Sequence, residues 1–216
     1  MHDHANYKPM ANQAYDDLFK KIVTCVYLPG QELNEKQLLE GNASFGRTPL
    51  REALLRLQKD GLIEIFPRKG MRIPLFTEKQ IKDLYQTRKL LEPLMAEEYC
   101  SLFSQSDLLA FREKFSAAAS LEPFERFQLD YAFHTYLISV TDNEILINMY
   151  KALMIQQIHL AMYTSLRLKE APDEDHVQHE SIISALLREN KTDIRDCITM
   201  HLNFSLVRSM QVLNFS

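Results

Sequence analysis

The stretch Gly46-Arg47-Thr48-Pro49-Leu50-Arg51-Glu52-Ala53-Leu54 decides the fold of the N-terminal part of this chain. Its spacing predicts a helix capped by Thr48, with Pro49 at the first helical position and an Ala/Leu-rich run behind it. Arg47, just ahead of the helix, and Arg51, in its first turn, then project from its N-terminal end. That is the end a recognition helix presents to base edges in the major groove, where a bidentate arginine–guanine contact is worth about 1–3 kcal/mol of discrimination. The plainer alternative is an amphipathic helix with solvated arginines, and the flanking residues weigh against it. Downstream, Asp60-Gly61 stops the helix and Leu62-Ile63-Glu64-Ile65-Phe66 reads as a short strand. Pro67-Arg68-Lys69-Gly70 reads as a turn and Met71-Arg72-Ile73-Pro74 as the returning strand. A helix followed by a basic-tipped hairpin is a winged helix-turn-helix. Upstream, Tyr15, Leu18, Ile22 and Val26 mark an amphipathic first helix that Pro29-Gly30 ends. Asn34 with Gln37 then forms a capping-box signal for a second helix, Glu35 to Glu40.

Residues 12–75 closely resemble the DNA-binding domain of the GntR family of bacterial transcription regulators. The family's "L-P-G-x-x-L-x-E" appears as Leu28-Pro29-Gly30-Gln31-Glu32-Leu33-Asn34-Glu35, and its "S-R-T-P-V-R-E-A-L" as the stretch from Gly46 to Leu54. One departure is the turn Gly41-Asn42-Ala43-Ser44-Phe45-Gly46, a residue longer than usual and with Gly where Ser is common. The resemblance implies a homodimer on a pseudo-palindromic double-stranded DNA operator. Arg47, Thr48 and Arg51 would read bases or grip phosphates, and the wing residues Arg68, Lys69 and Gly70 would reach the minor groove or backbone.

The chain has 216 residues, 46% of them hydrophobic, enough for a packed core in one large or two small domains. No run of about 18 apolar residues suggests a membrane span, and the start, Met1 to Asn6, lacks the apolar centre of a signal peptide. Cys25, Cys100 and Cys197 are odd in number and far apart, as expected of reduced thiols in a cytoplasmic protein. The net charge of −4 by itself argues against DNA binding, but it is unevenly divided. Residues 1–75 carry 11 Lys/Arg against 9 Asp/Glu, and residues 76–216 carry 14 against 20. A mildly basic head on an acidic body points to two domains with different tasks: after a flexible segment 1–11, a winged helix-turn-helix at 12–75 and a second domain at 76–216.

The second domain reads as all-helical, mainly α like the chain as a whole. All five glycines lie at or before Gly70, and from Thr77 onward there is little strand signal. Thr77 with Gln80 is a capping box ahead of a helix carrying Ile81, Leu84, Tyr85, Arg88, Leu91 and Met95 on one stripe. Ser106 opens another helix and Pro123 a third. A long one runs from Asn143 to about Leu168, Asp175 with Gln178 caps the next through Leu187, and Thr192 opens the last, reaching about Val212. Six or seven helices with short links make an antiparallel bundle.

Several polar residues sit on apolar stripes of this bundle. Asp130 and His134, at i and i+4, share a helix face with Phe127, Phe133 and Leu137 around them. His179 precedes Ile182, Ile183 and Leu186 by a turn, and His201 lies among Ile194, Ile198, Leu202 and Ser205. A single such histidine is more often a hydrogen-bonded core residue than a ligand. Three with an aspartate cost several kcal/mol to bury unless paired or bound to a cation, and three imidazoles with one carboxylate suit Zn, Ni or Mn. His2, His4, His159 and His176 fit no ligand spacing. Tyr131, Tyr163, Arg167 and Asn203 are candidates for pocket lining or packing alike.

This pattern resembles the FCD-type ligand-sensing domain of the FadR branch of the same family. Its "D-x-x-F-H" helix appears as Asp130-Tyr131-Ala132-Phe133-His134, its "H-x-x-[IL]-x-x-A-[IL]" helix as His179 to Leu186, and its final "M-x-x-H-L" type helix as Thr199-Met200-His201-Leu202. The resemblance implies one divalent metal per chain on Asp130, His134, His179 and His201. It also implies a small organic acid, sugar acids included, as effector. Arg88 lies in Leu84-Tyr85-Gln86-Thr87-Arg88-Lys89-Leu90-Leu91-Glu92, similar to the family's "L-x-x-x-R-x-x-L-E". It can clamp an effector carboxylate bidentately, or it can only pair with Glu92 at i, i+4. A ligand-controlled regulator, a repressor that releases DNA, is the expectation. The rival is a metal-dependent helical-bundle enzyme with an accessory DNA-binding head, which would need an open metal position and a separate base.

Overall fold

In the computed structural model, which describes residues 9–41, 45–168 and 173–215 (side chains of 173–176 and 215 excepted), the chain forms two compact units that divide between Leu75 and Phe76. The first begins with α1, Met10–Val23, whose buried face is Ala14, Leu18, Ile22 and Val23. The expected stripe ends before Val26, which is 64% exposed. Cys25 takes a left-handed φ of 58°, and this turns the chain out of the helix and Val26 into solvent. The second helix, α2, spans Glu35–Gly41, with the Gln37 amide donating to Asn34 Oδ1 at 2.9 Å.

The third helix, α3, spans Arg47–Lys59. Gly46 occupies the cap position without a side-chain bond, so Thr48 is not the cap and Pro49 is the third helical residue. Proline is accepted there because the first-turn amides have no intrahelical partner to lose. Leu50, Ala53, Leu54 and Leu57 are buried where α3 packs on α1, each leucine contributing about 1.5–3 kcal/mol by burial. A 2.6 Å bond from Tyr15 Oη to Asp60 and Arg56 lying 4.1 Å over the Tyr15 ring tie the same two helices.

The wing is three-stranded. Strands β2, Glu64–Phe66, and β3, Gly70–Arg72, form the expected hairpin, and β1, Glu32–Leu33, adds to β3 with Glu32 opposite Arg72 and Leu33 opposite Met71. Two residues are too few for a period-2 signal, so β1 is invisible in the sequence. At the hairpin turn Lys69 N–H donates to Phe66 O at 3.0 Å. Gly70 has φ +99°, and a Cβ there would lie 2.9 Å from Leu33 O. Only glycine lets β1 approach this corner.

The second unit holds six α-helices among the described residues. They are α4 Glu78–Glu98, α5 Gln105–Ser116, α6 Pro123–Ser139, α7 Glu144–Leu168, α8 Asp173–Leu187 and α9 Lys191–Met210, the last followed by a 3-10 segment Gln211–Phe215. The Thr77/Gln80 capping box is present. Three helix starts differ from the sequence reading. Ser104, not Ser106, caps α5, accepting from the Asp107 amide, and Asn190, not Thr192, caps α9, accepting from the Asp193 amide. α8 is already running at Asp173, two residues before Asp175, whose side chain lies outside the described residues. For α5 and α9 the true cap stands two residues upstream of the residue read.

Packing runs α4 on α9, α6 on α7, α8 on α9 and α5 on α8. An Arg195–Glu97 ion pair near one end and a 2.9 Å Tyr85–Ser209 hydroxyl bond near the other make α4 and α9 antiparallel. Phe133, Leu137, Ile182, Ile183, Ile194, Ile198 and Leu202 form the interior. No helix among the described residues is long and apolar enough to cross a membrane.

His159 of α7 is buried against Phe76, ring centroids 4.9 Å apart, and its Nε2 has no partner. Burial pushes its pKa from the ordinary 6.5 down to about 4. The unfolded chain therefore takes up this proton first as pH falls, and stability drains away between about pH 6.5 and pH 4. His159→Leu is expected to flatten this part of the acid-denaturation curve by up to about 3 kcal/mol, measured by urea melts at pH 7 and pH 4.5.

Candidate metal centre and ligand cleft

Asp130 and His134 lie one turn apart on α6, and α8 and α9 bring His179 and His201 to them. His179 Nε2 is 3.1 Å and His134 Nε2 3.4 Å from Asp130 Oδ1. His134 Nε2 is 3.2 Å from His201 Nε2 and 3.4 Å from His179 Nε2. All four donor atoms lie within 4.8 Å of one another. Bonds of about 2.1 Å to one ion put tetrahedral ligands about 3.4 Å apart, close to these separations. The three histidines are buried and the Asp130 side chain is 22% exposed. Phe115 stacks on the His179 ring at 4.1 Å, and Phe133 meets both His134 and His179 edge-on. These rings wall the cluster on its apolar side.

The outer bonds of two histidines decide which nitrogens face inward. His134 Nδ1 donates to Glu92 Oε2 at 2.6 Å, and His201 Nδ1 to Gln178 Oε1 at 2.9 Å. With those protons outward, two Nε2 lone pairs face each other across the 3.2 Å gap. Neutral imidazoles have no second proton to place there, so only an added proton or a cation reconciles them. Burial opposes charging His134, but Glu92 and Asp130 outweigh it and raise its pKa. Burial and the imidazoles of His179 and His134 push His201 well below its ordinary range. Burial works against the charge on Asp130 as well, and His134 and His179 overcome it, holding the carboxyl well below the usual carboxylate value. A set of three nitrogens and one ionised oxygen, with outer partners fixing the rings, fits a borderline divalent ion.

Glu92 is the functional residue that the sequence reading missed. Its Oε1 accepts from Arg88 Nε at 2.6 Å and from Tyr150 Oη at 2.5 Å, while Oε2 takes the His134 proton. Burial disfavours its charge, yet Arg88 and His134 hold its carboxyl at about 2. The i, i+4 pair of Arg88 and Glu92 is therefore real, but it is a hub between helices and not a surface contact along one. The available signal was position: Glu92 continues the stripe Ile81, Tyr85, Arg88 and Ala96, all buried.

A cleft of about 420 Å³, its open mouth included, lies beside the cluster and is lined by Tyr85, Arg88, Asp130, Gln157, His201 and Ser209 among others. Arg88 Nη2 is buried and without a partner. Tyr131, Tyr163, Arg167 and Asn203 do not line this cleft. Arg167 Nε donates to Tyr163 Oη instead, and Asn203 is exposed on α9. Of the other histidines, His159 packs in the core as described, while His2, His4 and the side chain of His176 lie outside the described residues.

In the N-terminal unit Arg47, Thr48 and Arg51 are exposed at the start of α3, and Arg68 and Lys69 at the wing tip. Arg51 Nε sits 3.1 Å from both oxygens of Glu35 on α2. So exposed a pair contributes little to stability, and a phosphate or guanine can displace it. Arg68 holds a left-handed φ of 64°, which turns the wing tip. Asn42, Ala43 and Ser44 of the turn before α3 lie outside the described residues.

Residues 10–73 match the family pattern of the bacterial regulatory proteins of the gntR family, and residues 83–204 match the FCD domain. The chain is 27% identical to the HTH-type transcriptional regulator YdhC of Bacillus subtilis, over 95% of this chain and 93% of that protein. It is 26% identical to the HTH-type transcriptional repressor RspR of Escherichia coli, over 90% and 86%. Among solved structures, E. coli McbR/YncC superposes with TM-score 0.79 at 20% identity, covering 95% of this chain and 99% of that one. A GntR regulator from Rhodococcus sp. RHA1 superposes with TM-score 0.80 at 16% identity, covering 94% and 99%. These relatives are regulators, which removes the enzyme alternative. An N-terminal winged helix joined to an FCD bundle makes this chain a transcriptional regulator of the GntR family.

Proposed function

We propose that this regulator is a cytoplasmic homodimeric repressor, that it binds one divalent metal per chain through Asp130, His134, His179 and His201, and that a small carboxylate effector releases it from DNA. The observation that carries the proposal is the convergence of four metal-type donor atoms within 4.8 Å beside a cleft lined by Asp130, His201 and Arg88, whose Nη2 has no partner. Three nitrogens and one oxygen from the protein suit Zn, Ni or Mn, and an ion that expands beyond four-coordination would take a ligand atom as its further donor. The bound ion supplies a Lewis-acid anchor for a carboxylate. Arg88 Nε stays with Glu92 while Nη2 takes the same carboxylate, so the ion pair and the clamp are compatible roles of one side chain. The repressor name of RspR supports the sign of regulation.

On DNA, Arg47, Thr48 and Arg51 would meet bases or phosphates from the start of α3, and Arg68 and Lys69 the neighbouring groove or backbone. Gly70 would serve by giving the wing its corner. Two copies on a pseudo-palindrome supply the affinity that one weakly basic head lacks. Effector bound at Arg88 acts on α4, the helix that follows directly from the linker at Leu75-Phe76. It shifts the DNA equilibrium only by its preference for one arrangement of that helix.

Metal analysis of tag-free protein is expected to find about one divalent ion per chain, and none in His134→Ala/His179→Ala. A metal-free wild type after incubation with Zn, Ni and Mn would sink the sensor reading. Glu92→Gln, which loses the charge that orders His134, is expected to weaken Zn affinity about 10- to 100-fold in a competition titration. In gel-shift titrations against operator DNA selected from random sequence, Arg51→Ala should lose about 5- to 150-fold in affinity, with its thermal midpoint unchanged.

A further inference from the structure

Gln157 of α7 is buried, with 4% of its surface exposed, and lines the same cleft as Arg88. Its Nε2 donates to Tyr85 Oη at 3.1 Å, and Tyr85 Oη bonds in turn to Ser209 Oγ at 2.9 Å. The other end of the amide, Oε1, has no partner. Two residues of the cleft lining thus each carry an unmatched buried polar atom, of opposite kind: a guanidinium nitrogen that needs an acceptor and an amide oxygen that needs a donor. Tyr85 stands between them, its ring 5.6 Å from Arg88 Cζ and its hydroxyl on Gln157. A buried polar atom left unmatched costs about 1–3 kcal/mol, and one carboxylate cannot meet both needs, since it only accepts.

We infer that Gln157 is a specificity-determining residue that reads a hydroxyl group on the effector, so that the ligand is a hydroxy acid and not a simple carboxylate. An alcohol donates as well as accepts, so it supplies the proton that Gln157 Oε1 lacks and that a carboxylate cannot give. The inference rests on the reading that Arg88 and the metal position hold the effector's carboxylate. A site built to hydrogen-bond an alcohol rejects the analogue that lacks it, because its polar groups then stay unmatched.

The test is calorimetric titration of Zn-loaded full-length protein with matched acids: L-lactate against propionate, L-malate against succinate, and D-gluconate against hexanoate. In at least one pair the hydroxylated acid is expected to bind about tenfold tighter or more. Gln157→Met is expected to bring that ratio to within about twofold while leaving the affinity of the unhydroxylated partner unchanged. Tyr85→Phe, which removes the hydroxyl that fixes the amide, provides a second variant and is expected to reduce the ratio too. Equal affinities within every pair in the wild type, or a ratio that persists in both variants, would overturn the assignment of Gln157. Arg88→Met separates the two levels of the argument. It should abolish binding of both members of a pair, and if acids bind it as they bind wild type, or no acid binds wild type at all, the carboxylate site itself is wrong and the hydroxyl assignment falls with it.

Discussion

The Glu92 carboxylate has no exposed surface and accepts from Arg88, Tyr150 and His134. The geometry of the second unit's polar interior depends on it. Two charges and a histidine are withdrawn from water on α4 and α6, and removing one partner of such a set typically costs about 3–5 kcal/mol, because the others are left uncompensated. What the arrangement provides in return is direction. The His134 proton is held outward on Nδ1, so Nε2 faces Asp130, His179 and His201. Arg88, a residue of the cleft lining, is held by Nε, and its Nη2 is left without a partner. One anion thus sets both the metal-type cluster and the ligand-type guanidinium, and a change at either is felt at the other.

The remaining walls follow from what that hub requires. Phe115 and Phe133 pack the imidazoles from the apolar side, which fixes ring planes without competing for nitrogens. Tyr85, Gln157 and Ser209 form a hydrogen-bonded row on the other side. The N-terminal unit is built on the opposite plan. Its apolar residues are spent on the contact of α1 with α3 and on a three-stranded wing, while Arg47, Arg51 and Arg68 stay exposed. A sensing domain needs preorganised polar groups shielded from water, and a DNA-reading domain needs charges that can be surrendered to phosphates.

Much of this was legible in the residues. The run from Gly46 to Leu54 marks α3, and the Gly/Pro-bounded apolar runs mark the hairpin. Asp130 and His134 are placed on one face by their spacing alone, and His179 and His201 stand out as polar residues on apolar stripes. What the sequence misplaced was local. The starts of α5 and α9 slipped because two capping-type residues lie two positions apart at each, Ser104 and Ser106, Asn190 and Thr192, and only backbone geometry shows whose oxygen accepts. Val26 left its stripe because Cys25 takes a left-handed turn that no neighbouring glycine announces.

The sequence by itself determined the two-domain order, the helix-turn-helix and its wing, the helical bundle, and the four residues with metal-ligand chemistry. Periodicity and side-chain type are properties of a segment and survive without its partners. Only the tertiary structure decided that Glu92 joins Arg88 to His134 across 42 positions, that Gln157 meets Tyr85 across 72, and that β1 closes on Gly70. Those contacts join helices or strands far apart in the chain, and hydrogen-bond partnership between such segments is fixed by packing, on which helical spacing carries no information.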